Sequence, residues 1–98
     1  MYKSVIAGYS RSPFTMARKG GLIDTKPVNL LADVIKNLVS KSNVKKQDIE
    51  DIVVGCAFQV GEQCFNIGKL VTFLTNMEVK TSGMTVDRWC GSSMEAIH

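Results

Sequence analysis

The 98-residue sequence predicts an α/β fold in the order β-α-β-α-β-α, built on a mixed, largely parallel sheet. Three observations carry that expectation. Short β-branched apolar runs alternate with segments whose apolar residues recur every three or four positions. Glycine, proline and small polar residues mark the boundaries between them. No internal repeat, low-complexity tract or linker interrupts the alternation.

The elements follow in order. Val5-Ile6-Ala7-Gly8-Tyr9 halts at Ser10-Arg11-Ser12-Pro13 and is expected to be a buried strand feeding a loop. Residues 14–27 hold Gly20-Gly21, Asp24-Thr25 and Pro27, which make a basic loop. The Arg18-Lys19-Gly20-Gly21 stretch within it reads either as a solvated turn or as a contact for a nucleotide phosphate. From Val28, the residues Leu30, Leu31, Val34, Ile35, Leu38 and Val39 lay one apolar stripe along a helix. Pro27 suits its first turn, where a missing N–H costs nothing.

Residues 41–51 are polar, with a turn near Asp48. The continuous run Ile52-Val53-Val54-Gly55-Cys56-Ala57-Phe58 predicts a strand buried on both faces. Gln59 to Glu62 turns the chain, and Asn66 to Thr75 reads as a helix through Ile67, Leu70, Val71 and Leu74, although Gly68 weakens it. A loop through Ser82-Gly83 leads to a third strand, Met84-Thr85-Val86. Gly91 to His98 opens a last helix with no stop signal, so residues 1–98 read as the first part of an incomplete domain.

Composition narrows the function. Twelve basic and nine acidic residues leave a net charge of +3, dispersed in runs of no more than two, which speaks against nucleic acid. No apolar stretch approaches the roughly 18 residues of a membrane span. The opening Met1-Tyr2-Lys3-Ser4 has no leader character, and a cytoplasmic location is expected. Three cysteines, Cys56, Cys64 and Cys90, are an odd number at spacings that match no zinc pattern. With a single histidine, His98, no metal site is expected.

The sharpest local feature is Val86-Asp87-Arg88-Trp89-Cys90-Gly91-Ser92-Ser93-Met94-Glu95. A strand runs into a tight turn and a helix opens just after Cys90. Ser92 and Glu95 fit the S-x-x-E capping box, which places Ser92 near the N-cap. A thiol at that point meets the partial positive charge of a helix N-terminus, which favours the thiolate. Gly91 leaves room beside the sulfur. This is the layout of a nucleophile elbow built on cysteine, suited to acyl transfer. The alternative is a small buried hydrophobe, the commoner role of a free cysteine. Trp89 either lines a substrate channel or packs. His98 is not the base for Cys90: eight residues of one helix separate them by about 12 Å.

Met84 to Met94 resembles the active-site signature of the thiolases. Ser10-Arg11-Ser12-Pro13, Gly20-Gly21, the helix from Val28, Ile52 to Gly55 and Gln59-Val60-Gly61 follow in the family's order. Glu62 to Ile67, taken with Cys90-Gly91-Ser92-Ser93-Met94, is most similar to the thiolase β-subunits of bacterial fatty-acid oxidation complexes. Asp87 departs from the family's usual Asn, Gly68-Lys69 from Ala-Arg, and Cys64 from Gly. A carboxylate at Asp87 would oppose a thiolate at Cys90 unless Arg88 or another cation offset it.

The resemblance implies the opening part of the five-layered thiolase fold, and a 3-ketoacyl-CoA thiolase activity that transfers an acyl group to coenzyme A. Cys90 would be the acyl-accepting nucleophile, with backbone support at Gly91. Acyl-CoA and coenzyme A enter as substrates, with no metal and no covalently held cofactor. The family's histidine base and second cysteine match no position here, so the isolated residues are expected to be nearly inactive. Implied partners are the remaining thiolase chain, a homo-oligomer and the α-subunit of a β-oxidation complex. Two other readings stay open: a non-catalytic remnant acting as an interaction piece, and an unrelated small binding domain. The resemblance further implies that Met84 to Asp87 lies beside a subunit interface. Cross-linking from Met84 in the assembled protein should then reach a second subunit, and intrasubunit links alone would refute it.

Overall fold

The computed structural model describes residues 2–98. Three helices, α1 (Pro27–Lys41), α2 (Ile67–Leu74) and α3 (Ser92–Ile97), alternate with two strands, β1 (Asp51–Gly55) and β2 (Ser82–Val86). Short 3₁₀ turns at Lys46–Asp48 and Gly61–Gln63 join them. The strands pair in parallel, with Asp51 opposite Ser82 and Gly55 opposite Val86. Helix α2 is the crossover between them, as a parallel pair requires. The α/β class and the parallel pairing agree with the sequence.

Each element has a local cause. Pro27 opens α1, and the stripe from Leu30 to Val39 is half-buried. Ser42 ends the helix: its N–H donates to the Leu38 carbonyl at 3.0 Å and its hydroxyl to that of Val39 at 3.1 Å. Asn66 caps α2, its Oδ1 accepting the Lys69 N–H at 3.2 Å. The same side chain reaches β2. Its Nδ2 donates to the Gly83 carbonyl at 2.8 Å, and its Oδ1 accepts the Thr85 hydroxyl at 2.8 Å. Thr85 Oγ1 in turn accepts the Gly68 N–H at 3.0 Å. One amide and one hydroxyl thus fasten the first turn of α2 to β2.

At that junction two glycines let backbone touch backbone. A Cβ at Gly68 would land on the Met84 carbonyl, and one at Gly83 would lie 2.8 Å from the Lys69 Cα. Gly68, which weakens the helix by propensity, is what allows α2 to lie flat on the strand.

Three expectations need correction. Val5 to Tyr9 forms no strand: Val5 is 80% exposed, Ile6 84% and Tyr9 90%. A strand needs an edge to pair with, and among the described residues the sheet consists of β1 and β2 alone. The segment instead passes beside α1, where Ser10 Oγ donates to Asn37 Oδ1 at 3.1 Å. Second, the Ile52–Phe58 strand is shorter than expected, and Ile52, Val53 and Val54 are only half-buried, because the helices cover each face in part. Third, β2 begins at Ser82 rather than Met84.

The core is thin. Ala32, Cys56, Ile67 and Val71 are its buried apolar residues, joined by Thr72, Thr75, Thr81 and Ser92. The buried hydroxyls are satisfied: Thr75 donates to the Val71 carbonyl at 2.7 Å and Thr81 to that of Ile49 at 2.9 Å. The accessible surface is 7952 Å², against about 5,500 Å² for a folded monomer of this mass. Many large apolar side chains are exposed, among them Phe73 on α2, Val79 after it and Ile97 on α3.

Gly68→Ala should destabilise the fold by about 1–3 kcal/mol, since the added methyl forces α2 off β2. Gly21→Ala, which meets nothing within 4 Å, should stay within about 0.5 kcal/mol of the parent. Urea titration followed by circular dichroism checks both.

Candidate active site

The turn between β2 and α3 carries Cys90. Its position depends on how β1 and β2 end together. The ladder continues one residue past β1, where the Cys56 N–H donates to the Val86 carbonyl at 2.9 Å. Helix α3 then crosses the end of β1 at Gly55, where a Cβ would sit 2.5 Å from the Ser93 Cα. Gly55 therefore seats the first turn of α3, and with it the short loop that β2 feeds.

Within that loop, Trp89 adopts φ +48°, the left-handed region, without being glycine. The conformation costs about 1–2 kcal/mol and turns the chain sharply just before Cys90. Its N–H donates to Asp87 Oδ1 at 2.9 Å. Its carbonyl accepts the Ser92 hydroxyl at 2.7 Å and the Ser92 N–H at 3.1 Å. Its ring stands edge-to-face on Phe58, with centroids 6.1 Å apart and planes at 87°. Both rings remain largely exposed, so Trp89 makes one aromatic contact rather than filling a core site.

Ser92 does not cap α3 in the way the capping box predicts. Gly91 is the N-cap and Ser92 the first helical residue. Its hydroxyl turns back into the loop, accepting the Arg88 N–H at 2.8 Å and donating to Trp89. Glu95 turns the other way as well: it pairs with Arg88 Nη1 at 3.4 Å and lies 3.7 Å from His98 Nδ1. Arg88 therefore faces Glu95, and Asp87 is held by the Trp89 N–H. That contact gives Asp87 a role in the backbone of the turn. Only an oxygen acceptor is required there, and the Asp87 carboxylate supplies one.

The three thiols differ sharply in access. Cys90 is exposed, Cys64 intermediate and Cys56 buried. Beside Cys90, the Gly91 N–H donates to the Arg88 carbonyl at 3.0 Å, so the turn itself occupies it. A Cβ at Gly91 would meet Arg88 O at 3.4 Å, an ordinary contact, so the turn does not require glycine there for lack of space. A shallow concavity of about 510 Å³ borders the turn, lined by Arg88, Gly91, Met94, Glu95 and His98. The larger concavity, about 660 Å³, lies elsewhere, between Tyr9–Pro13 and α1. Among the described residues no cluster of His, Cys, Asp or Glu has the make-up of a metal site, and no helix is long and apolar enough to cross a membrane. Arg18, at φ 66°, sits in an exposed turn closed by the Gly20 N–H on the Met16 carbonyl at 2.8 Å.

Residues 4–98 match the family described as thiolase, N-terminal domain. The chain belongs to the thiolase family. It is 38% identical over 95 residues to a 3-ketoacyl-CoA thiolase of a Marinomonas species, covering 96% of this chain and 24% of that protein. A 3-ketoacyl-CoA thiolase of Colwellia psychrerythraea is 36% identical, with 100% of this chain and 26% of the relative covered. The chain thus spans about a quarter of the length of the curated relatives it matches. Among solved structures, the Bacillus anthracis acetyl-CoA acetyltransferase aligns with a TM-score of 0.83 at 24% identity, over 93% of this chain and 23% of that one. The Acat5 thiolase from Ascaris suum, solved in complex with coenzyme A, aligns with a TM-score of 0.74 at 25% identity, over 81% and 20%. The fold is therefore the N-terminal part of the thiolase fold.

Cys90 and Gly91 lie on the tight turn between β2 and α3 that the sequence predicted. It also adds Ser92 and Asp87 to the machinery of the turn. The motif pointed to Ser92 but assigned its hydroxyl to the wrong partners.

Iodoacetamide should modify Cys90 first and Cys64 more slowly, with Cys56 protected until the fold is opened by denaturant. Peptide mapping over a time course checks the order, and early loss of the Cys56 thiol would contradict the burial described here.

Proposed function

We propose that this chain is the nucleophile-bearing N-terminal portion of a cytoplasmic 3-ketoacyl-CoA thiolase, with Cys90 as the acyl acceptor. The observation that carries it is the placement of the one exposed thiol on the sharp strand-to-helix turn of a thiolase N-terminal domain. In this reading the Cys90 sulfur attacks the keto carbon of a 3-ketoacyl-CoA. The Cα–Cβ bond then breaks, and its electron pair leaves with acetyl-CoA as an enolate, which takes a proton. The thiol of a second coenzyme A attacks the acyl-cysteine, forms the shortened acyl-CoA and frees Cys90. The chemistry runs in either direction.

Gly91 supports the step through its backbone: once its N–H leaves the Arg88 carbonyl, it supplies a donor to the oxyanion. The proton transfers fall to groups outside residues 2–98. His98, whose Nδ1 lies 3.7 Å from Glu95 Oε2, follows Cys90 by eight residues, just past the end of α3, and is not the base. General acid–base help is worth about 10²–10⁴-fold, so these residues alone should turn over negligibly. The partners are acyl-CoA, the remaining length of a thiolase chain and a second subunit.

A second reading has one observation in its favour. The large exposed apolar surface suits a piece whose role is assembly, with Cys90 idle.

Intact-mass spectrometry after incubation with acetyl-CoA, followed by peptide mapping, separates the two. In the assembled protein one acetyl group should appear on Cys90, and Cys90→Ser should abolish it without changing assembly. An assembled protein in which Cys90 stays free would favour the second reading.

A further inference from the structure

We propose that Ser92 is a positioning residue, whose buried hydroxyl holds the strained turn that aims Cys90; the inference rests on Cys90 being the nucleophile. From Asp87 to Ser93, Ser92 alone is buried, at 4% exposure, while Cys90 and Trp89 stand in solvent. Its oxygen sits between two peptide groups of the turn. It accepts the Arg88 N–H at 2.8 Å and gives its own proton to the Trp89 carbonyl at 2.7 Å. Asp87 Oδ1, at 3.5 Å, is too far to compete for that proton.

The consequence falls on Trp89. A non-glycine residue at φ +48° persists only where its surroundings hold it. Both of its peptide groups are held: the N–H by Asp87 and the carbonyl by the Ser92 hydroxyl and N–H. Asp87 is exposed, and water can replace its contact. The Ser92 side chain is buried at 4% exposure beside the junction of Gly55 and α3, and its two contacts are part-buried, so they are more sheltered from water than the Asp87 contact. The Ser92 hydroxyl is therefore the part of the clamp that solvent replaces least readily, and it both donates and accepts. Alanine does neither, whereas threonine does both. Ser92 touches no reacting atom, and its effect passes through the backbone of Trp89 to Cys90.

The test uses the assembled protein, comparing the parent with Ser92→Ala, Ser92→Thr and Cys90→Ser. Amide hydrogen exchange at Arg88 reports the clamp, and the Trp89–Phe58 ring contact, seen by NMR, reports the turn. Acylation of Cys90 by acetyl-CoA, relative to its alkylation by iodoacetamide, reports aim, because the small reagent needs only an accessible thiol. Ser92→Ala should speed Arg88 exchange at least tenfold, weaken the ring contact, and lower the acylation-to-alkylation ratio at least tenfold. Cys56 should stay protected, and Ser92→Thr should recover most of the loss. Unchanged Arg88 exchange and ring contact in a folded Ser92→Ala protein would overturn the proposal. So would exposure of Cys56 in step with the loss, because Ser92 would then hold the fold at large. If the parent takes no acetyl group, it is the thiolase reading that fails, and Arg88 exchange with the ring contact decides the clamp alone.

Discussion

Helix α2 and strand β2 touch backbone to backbone at Gly68 and Gly83, and the rest of the chain is arranged around that contact. With no side chain between them, the helix lies low enough for Asn66 to reach the Gly83 carbonyl and for Thr85 to accept the Gly68 N–H. Those bonds fix β2 along its length. Its register against β1 is pinned by other ties, the Thr81 hydroxyl donating to the Ile49 carbonyl and the Ser82 N–H to the Glu50 carbonyl, both at 2.9 Å. The end of β2 is thereby fixed opposite Gly55, which seats α3. The turn that holds Cys90 inherits its place from these two close approaches.

The same arrangement leaves much apolar surface in water. Val71, Thr75 and Thr81 are fully buried, yet Phe73, Val79, Trp89 and Ile97 are not. Helix α2 is apolar on nearly every side, and its one charged residue, Lys69, points its amine at the Thr81 carbonyl and over the Phe73 ring. Such a helix is ordinarily enclosed on all faces. A chain that spans a quarter of its relatives' length buries only one side of it.

Much of this was legible in the sequence, for identifiable reasons. The stripe from Leu30 to Val39 has helical period and Pro27 marks its start, so α1 was read nearly to the residue. The β-branched run Ile52-Val53-Val54 marked β1, and Cys90 was found because a strand, a tight turn and a helix succeed one another within ten residues. The failures have a common origin in partners. Val5 to Tyr9 has the composition of a strand, but composition does not supply an edge to pair with. Ser92 and Glu95 have capping-box spacing, but the strained carbonyl of Trp89 claimed the hydroxyl and Arg88 claimed the carboxylate. Gly68 read as a weakness in α2 because the strand beneath it is distant in sequence.

The parallel pairing of β1 and β2 also sets an order of events during folding. Asp51 and Ser82 are about thirty residues apart, so their pairing must close a long loop before any ladder bond repays the entropy. Helix α2 forms from local contacts and shortens that search when it docks on β2. The turn that carries Cys90 depends on the far end of the same ladder, through the Cys56–Val86 bond and the seat at Gly55. Its order therefore rests on the closed sheet beneath it, and Cys90 holds its place only where that ladder is complete.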